Sequence, residues 1–208
     1  MITLKSQMNP HFIFNTLNSI QSLIRFNKNK EAYKYVNKFA TLLRQTLNYT
    51  NKGFITLENE IELLTNYLEM EKMRLDGQLT FEIHTIQQYL ISIPYMIIQP
   101  FVENAIEHGL LHKKVGEKKI EIKFELVSEQ LLCCTVTDNG IGREKAKEIR
   151  KKQLHLKPLF SEEITQNRLD TGQRLQAQNF GVEYIDLKDN LDKAIGTQVK
   201  ISIPINTI

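Results

Sequence analysis

Asp76-Gly77-Gln78-Leu79-Thr80-Phe81-Glu82-Ile83-His84 is where the chain changes its period. Upstream, apolar residues recur every three or four positions. From Leu79 they alternate, with Leu79, Phe81 and Ile83 on one side of a strand and Thr80, Glu82 and His84 on the other. The switch predicts an α+β protein: a helical part over residues 1–78, then a layered α/β part over 79–208. His84 has no ligand-like neighbours in the sequence and reads as a surface strand residue.

Upstream of the switch, Leu57, Ile61, Leu64 and Leu68 form the buried stripe of a helix that Thr56 caps and that runs to Leu75. Gly53 closes the exit of a helical hairpin before it. The first arm covers residues 3–26, with a kink expected at Pro10, and Asn27 to Asn29 break the pattern. Tyr33, Val36, Phe39, Ala40, Leu43 and Leu47 then carry the second arm to about Tyr49. Each arm has a long apolar stripe and one partner in this chain, so a second copy completes a four-helix bundle and the protein is expected to be a homodimer. Helical spacing puts His11 and Asn15 on one face of the first arm, beside the seam of Phe14, Leu17, Ile20, Leu23 and Ile24. A neutral imidazole there has a free ring nitrogen and can take a phosphoryl group; the alternative is a core histidine held by Asn15.

Charge separates the two parts as well. Residues 1–52 hold eight Lys and Arg against Glu31 alone, a net of +7 in a chain of net +3. Such an arm meets an acidic surface or is a solvated helix face; the aromatic spacing does not favour nucleic acid, and no nucleic-acid partner is expected.

Downstream, Pro94 suits a helix start, and Tyr95 to Gly109 read as one helix with Gly109 as its stop. Asn104 and His108 stand one turn apart on it. Phe101 and Ile97 draw Asn104 toward the core, where an unpaired amide costs about 1–3 kcal/mol. A Mg²⁺ ion carrying phosphate oxygens would satisfy it, as would a neighbouring backbone group. A hairpin about Ser128-Glu129-Gln130 follows, ending at Asp138-Asn139-Gly140-Ile141-Gly142. An acid before two close glycines lets the backbone approach a flat ligand, and a buried carboxylate can accept from the exocyclic amine of adenine.

With 208 residues and 41% hydrophobic content the chain is globular. Its longest apolar run, Leu90 to Val102, is broken by Pro94, Gln99 and Pro100, so no spanning helix is expected. No signal peptide is seen. Cys133 and Cys134 are adjacent, so on a strand they face opposite ways, which predicts free thiols and a reducing, cytoplasmic setting.

In this order and spacing, three stretches resemble the LytS-type sensor histidine kinases, whose catalytic domain belongs to the ATPase superfamily shared with gyrase and MutL. Pro10-His11-Phe12-Ile13-Phe14-Asn15 is similar to that family's phospho-acceptor box, Gln99 to Gly109 to its asparagine box, and Asp138 to Gly142 to its first glycine box. Tyr67 to Arg74 resembles its linking helix, and Gly196-Thr197-Gln198-Val199 with Ile201 to Pro204 its closing strand. The resemblance implies a two-layer α/β sandwich after the helical hairpin, and autophosphorylation of His11 from Mg-ATP, followed by transfer to an aspartate of a response regulator receiver domain. It assigns His11, Asn15 and Glu103 to catalysis, Asn104 to Mg²⁺, and Asn104, His108, Asp138, Gly140 and Gly142 to the nucleotide. It further implies a membrane-anchored sensor, of which this chain is the cytoplasmic part, attached through an N-terminal portion not included in it.

One part departs from the family pattern. After the lid region Arg143 to Lys157, the second glycine-rich turn is replaced by Pro158-Leu159-Phe160-Ser161-Glu162-Glu163, and Gly172 and Gly181 fall too far along to substitute. Lys151, Lys152 or Lys157 would have to offset the two acids. His155 has no paired ligands. The altered turn leaves a second reading, a weak or inactive nucleotide-sensing or phosphorelay scaffold.

Overall fold

The computed structural model describes residues 10–49, 52–86, 91–154 and 181–207. Its first two helices, α1 (Pro10–Arg25) and α2 (Asn29–Tyr49), form the expected hairpin. Asn27 turns between them with φ 57°, a left-handed conformation that asparagine tolerates better than most residues. Pro10 is the first helical residue described; residues 3–9, and the turn its ring would distort, lie outside the described residues.

The core-facing side of α2 differs from the expected stripe. Ala32, Tyr35, Leu42 and Thr46 are buried, whereas Tyr33, Val36 and Leu47 are exposed, as are Phe14, Leu17 and Ile24 on α1. The reason is a second partner within the chain. Helix α3 (Leu57–Arg74) packs on α2, with Gln45 donating to Glu62 at 2.7 Å and accepting from Asn66 at 2.9 Å. Phe12 of α1 reaches through to the rings of Phe39 and Tyr67, at 6.3 and 5.2 Å.

Thr56 caps α3, its Oγ1 accepting from the Asn59 amide at 3.3 Å. Glu58 and Glu60 lie in the first turn and Lys72 and Arg74 in the last, the order the helix dipole favours. Leu57, Leu64 and Leu68 are buried as expected. Just before α3, strand β1 (Phe54–Thr56) was not foreseen; it pairs antiparallel with β3 (Ile91–Pro94), which pairs in turn with β8 (Asn206–Thr207).

Pro94 therefore ends a strand and does not begin a helix. It is tolerated there because β8 pairs only with Ile91 and Ser92, so no ladder partner asks for the missing amide hydrogen of Pro94 on that side. Helix α4 (Gln99–Asn104) starts later, with Pro100 in its first turn.

The main sheet runs β2-β4-β5-β7-β6, from β2 (Leu79–His84), β4 (Lys118–Ser128), β5 (Leu131–Asp138), β7 (Ala194–Pro204) and β6 (Gly181–Lys188). β2 is parallel to β4 and the other pairs are antiparallel. Alternation puts Ile120, Ile122, Phe124, Leu132, Cys134, Val136, Ile201 and Ile203 on the buried face, under the helices. Cys133 and Cys134 do face opposite ways, and both thiols are free. A continuous apolar core runs from Phe12 of the hairpin to Ile205, with α3 contributing Met70 and Leu68 in its middle. No described helix is long and apolar enough to cross a membrane.

Because one hydroxyl caps the helix that both layers share, Thr56→Ala should lower stability by about 1 kcal/mol. Urea unfolding with an unchanged m-value would register this as a lower midpoint; an unchanged midpoint would remove the cap from the account.

Candidate active site

Helix α4 continues without a break into a π-helical segment, Ala105–Leu110, where Leu111 N donates to Ile106 O at 2.9 Å. Gly109, expected as a stop, lies inside that segment. Its role is spatial. A Cβ on Gly109 would stand 2.8 Å from Asp138 Oδ1, and one on Gly140 would stand 2.5 Å from the Gly109 Cα. Helix and turn meet backbone to backbone, and Ile141 N donates to Gly109 O at 3.3 Å across the seam.

Asn139 fixes the turn from the other side. Its Oδ1 accepts from Lys119 N at 2.9 Å and its Nδ2 donates to Glu117 O at 3.0 Å, tying the end of β5 to the start of β4. Gly142, with φ 79°, then takes the chain into helix α5 (Arg143–Leu154) in a conformation that favours glycine.

Between α4, its π-helical continuation, α5 and the sheet lies an open cleft. Asp138 lies in its wall with only 5% of its surface exposed. Its Oδ1 accepts from Gly140 N at 2.8 Å, and the backbone amide of Thr197, its ladder partner on β7, lies toward it and also favours the charged form. Burial raises its pKa to about 6, against those two donors and the Lys113 ammonium, which lower it. At neutral pH it is mostly a carboxylate, an acceptor facing the cleft.

Apolar walls come from Phe101, Ala105, Val136 and Val199. The α5 side is basic, with Arg143, Lys147 and Arg150. Arg143 is itself held: Nε and Nη2 each donate to the Asp186 carboxylate at 2.7 Å, and its guanidinium lies 5.2 Å from the Tyr184 ring centroid. One end of the cleft thus suits a flat apolar ring with a hydrogen-bond donor, and the other suits negative charge.

Of the site residues expected from sequence, Asn104, His108, Asp138 and Gly142 line this cleft, and Gly140 backs it. Glu103 is not among the lining residues; its Oε1 accepts from Gln99 Nε2 at 3.0 Å along α4. Asn15 sits half-buried on α1, away from the cleft lining, with its backbone carbonyl accepting from Ser19 Oγ at 2.9 Å. His11 falls in the first turn of α1, and its side chain lies outside the described residues, as do His155, Lys157, the Pro158–Glu163 turn and Gly172. Sequence reasoning missed Thr197, Tyr184, Asn139 and Arg143. Thr197 and Tyr184 are distant in sequence, and only the ladder brings them in.

His84 is the exposed strand residue expected, but it has acidic neighbours. Parallel pairing of β2 and β4 sets its Nε2 3.0 Å from Glu121 Oε1, and Glu82, two residues back on β2, places Oε2 at 3.5 Å. Lys119 already holds Glu82 at 2.9 Å, so the group is an exposed ion-pair network on the sheet.

The fold matches solved histidine kinases. A mycobacterial sensor histidine kinase, MprB, superposes with a TM-score of 0.50 at 12% identity, covering 74% of this chain and 98% of that one. The fold is therefore that of a histidine-kinase catalytic domain, an α+β sandwich of the ATPase type. The histidine kinase family model matches residues 1–80. Sensor protein LytS of Staphylococcus haemolyticus strain JCSC1435 is 30% identical over 213 aligned positions, 99% of this chain and 34% of the relative. The sensor histidine kinase/phosphatase LytS of Staphylococcus aureus strain Mu50 is 30% identical over 180 positions, 85% of this chain and 29% of that protein. The chain belongs to the LytS-type sensor histidine kinases, and it spans about a third of the length of these relatives.

Gly140→Ala should cost about 1–3 kcal/mol by forcing the turn off Gly109, read as a lower urea midpoint. A second expectation concerns pH. The folded value of Asp138, about 6, lies above its ordinary 3.8, so the folded state holds this proton more tightly than the unfolded chain does. Its contribution to stability is greatest below the ordinary value, falls as pH rises through that window, and stays low above it. Asp138→Asn should flatten this part of the curve in thermal melts taken between pH 4 and 7.5. An identical slope in both proteins would contradict the assignment.

Proposed function

We propose that the chain is the ATP-dependent autokinase core of a two-component sensor. Residues 1–78 form its dimerisation and phospho-acceptor part, and 79–208 its ATP-binding part. The observation that carries this reading is the buried Asp138 carboxyl, cradled by Gly140 and Gly109 at the wall of an open cleft. Asp138 would accept from the adenine amine while the apolar walls sandwich the ring. Arg143, Lys147 and Arg150 offer charge to the phosphates, and Asn104 has the side-chain oxygen to hold Mg²⁺, with His108 one turn on. Such an ion, when bound, neutralises phosphate charge and aligns the terminal group.

The reaction moves the terminal phosphoryl group of ATP from the β-phosphate oxygen to an imidazole nitrogen of His11, releasing ADP; the group then passes to a receiver-domain aspartate. Asn15, one turn from His11 on α1, would orient the imidazole, and Glu103 would assist from α4. Because His11 stands on the hairpin and the cleft lies between α4, α5 and the sheet, with no residue of α1 in its lining, this transfer requires the two parts to approach. The exposed apolar positions Phe14, Leu17, Tyr33, Val36 and Leu47 support a second copy against the hairpin. In this reading the chain, which spans about a third of these relatives' length, is the cytoplasmic part of a longer, membrane-anchored sensor.

Incubation with labelled ATP and Mg²⁺ tests the reading. Acid-labile label should enter the native chain and be absent in His11→Gln, which should still bind nucleotide. Asp138→Asn should weaken ATP binding by roughly 10- to 100-fold, the loss of a hydrogen bond to a charged group. Nucleotide binding with no label in the native chain would replace the autokinase by the sensing or phosphorelay scaffold.

A further inference from the structure

Glu60 is an ionisable residue in the first turn of α3 with only 1% of its surface exposed, while Glu58 and Glu62 on the same helix are exposed. Acids are rarely buried without partners. The backbone amides of Ile98 and Met96 lie toward its carboxyl and lower its pKa, and Oε1 makes no hydrogen bond. Those two amides belong to the turn that starts α4. Met96 holds φ at 58°, unusual for a residue with a side chain, and Ile98, at the N-cap, has no side-chain cap of its own. Ile98 O accepts from Phe101 N at 3.0 Å and Val102 N at 3.4 Å, so Glu60 braces the residue from which the helix begins.

We propose that Glu60 is a positioning residue, a latch through which α3 fixes the Met96–Ile98 turn and thereby sets where Asn104, at the far end of α4, stands in the nucleotide cleft. The proposal rests on the nucleotide reading of that cleft. α4 is short, so Ile98 and Asn104 are separated by about 9 Å of helix rise and move together. At its other face α3 is bonded to α2 through Gln45, Glu62 and Asn66. A shift of the hairpin therefore has, beside the shared core and the β1–β3 ladder, a route to the cleft through this carboxyl.

The contact can also be graded. Burial pushes Glu60 up to about 7 against the two amides, so both forms are populated near neutrality. The ionised form grips amide donors more firmly. The titratable group facing it from the sheet is the Cys134 thiol on β5, itself raised by burial. On the turn, Tyr95 points away, its hydroxyl donating to Thr46 O at 3.2 Å.

The test uses the full chain and Glu60→Gln, with two readouts: amide hydrogen exchange at Met96 and Ile98 without nucleotide, and Mg-ATP affinity from pH 6 to 8. In the variant these amides should exchange about 2- to 10-fold faster, the difference between a charge-assisted hydrogen bond and a neutral one. Mg-ATP affinity should fall by a similar factor, and its rise between pH 7 and 8, above the range in which Asp138 titrates, should be smaller than in the native chain. Equal exchange and an unchanged pH profile would overturn the latch. If the native chain binds no Mg-ATP, the nucleotide reading and Glu60's positioning role fall together, and the exchange data then report only the bare contact. If the variant does not fold, native exchange at pH 6 and 8, corrected for its intrinsic pH dependence, decides it; equal protection overturns the proposal.

Discussion

Asp138 is ionisable, nearly free of solvent, and held by backbone donors, and it can stay so because Gly109 and Gly140 leave no side chain between helix and turn. The close approach fixes the end of β5 against the π-helical segment. That segment in turn presents His108 one turn beyond Asn104, toward the same cleft. A π-helical turn widens the spacing of side chains and recurs at functional sites. Here it lets the chain pass Gly109 over the carboxyl without ending the helix.

The second organising element is α3, which belongs to both layers. Its outer side receives α2 through Gln45 and Asn66, and its inner side buries Leu64, Leu68 and Met70 against the sheet and strands. Burial on two sides leaves little freedom to move without disturbing one or the other. The small sheet of β1, β3 and β8 adds a backbone tie at the same junction, joining the exit of the hairpin to the last described strand.

The period switch at Asp76-Gly77 and the alternation after it were legible because strand and helix periods differ and each has one buried face. Leu79 and Ile120 follow that rule. Pro94 misled because proline is equally compatible with a helix start and a strand end, and only the ladder on β1 distinguishes them. The α2 stripe misled for a related reason: apolar residues lie on two faces, and which is internal depends on whether α3 or another molecule covers it. His84 acquired Glu121 as a second acidic neighbour, beside Glu82 on its own strand, from parallel register, a property of two strands and not of one.

Local chemistry is written in the chain: Asp138 before two glycines, Asn104 and His108 one turn apart, Thr56 ahead of an apolar run. Each depends on residues within a few positions of one another, which is the range over which backbone preference and spacing act. What the tertiary structure decided was burial and convergence. Thr197 reaches Asp138 by strand pairing, Tyr184 and Asp186 reach Arg143 across an edge strand, and Glu60 reaches Met96 and Ile98 from another helix. Those contacts set pKa values and cleft shape, and they arise from packing many distant residues at once, for which no local pattern exists.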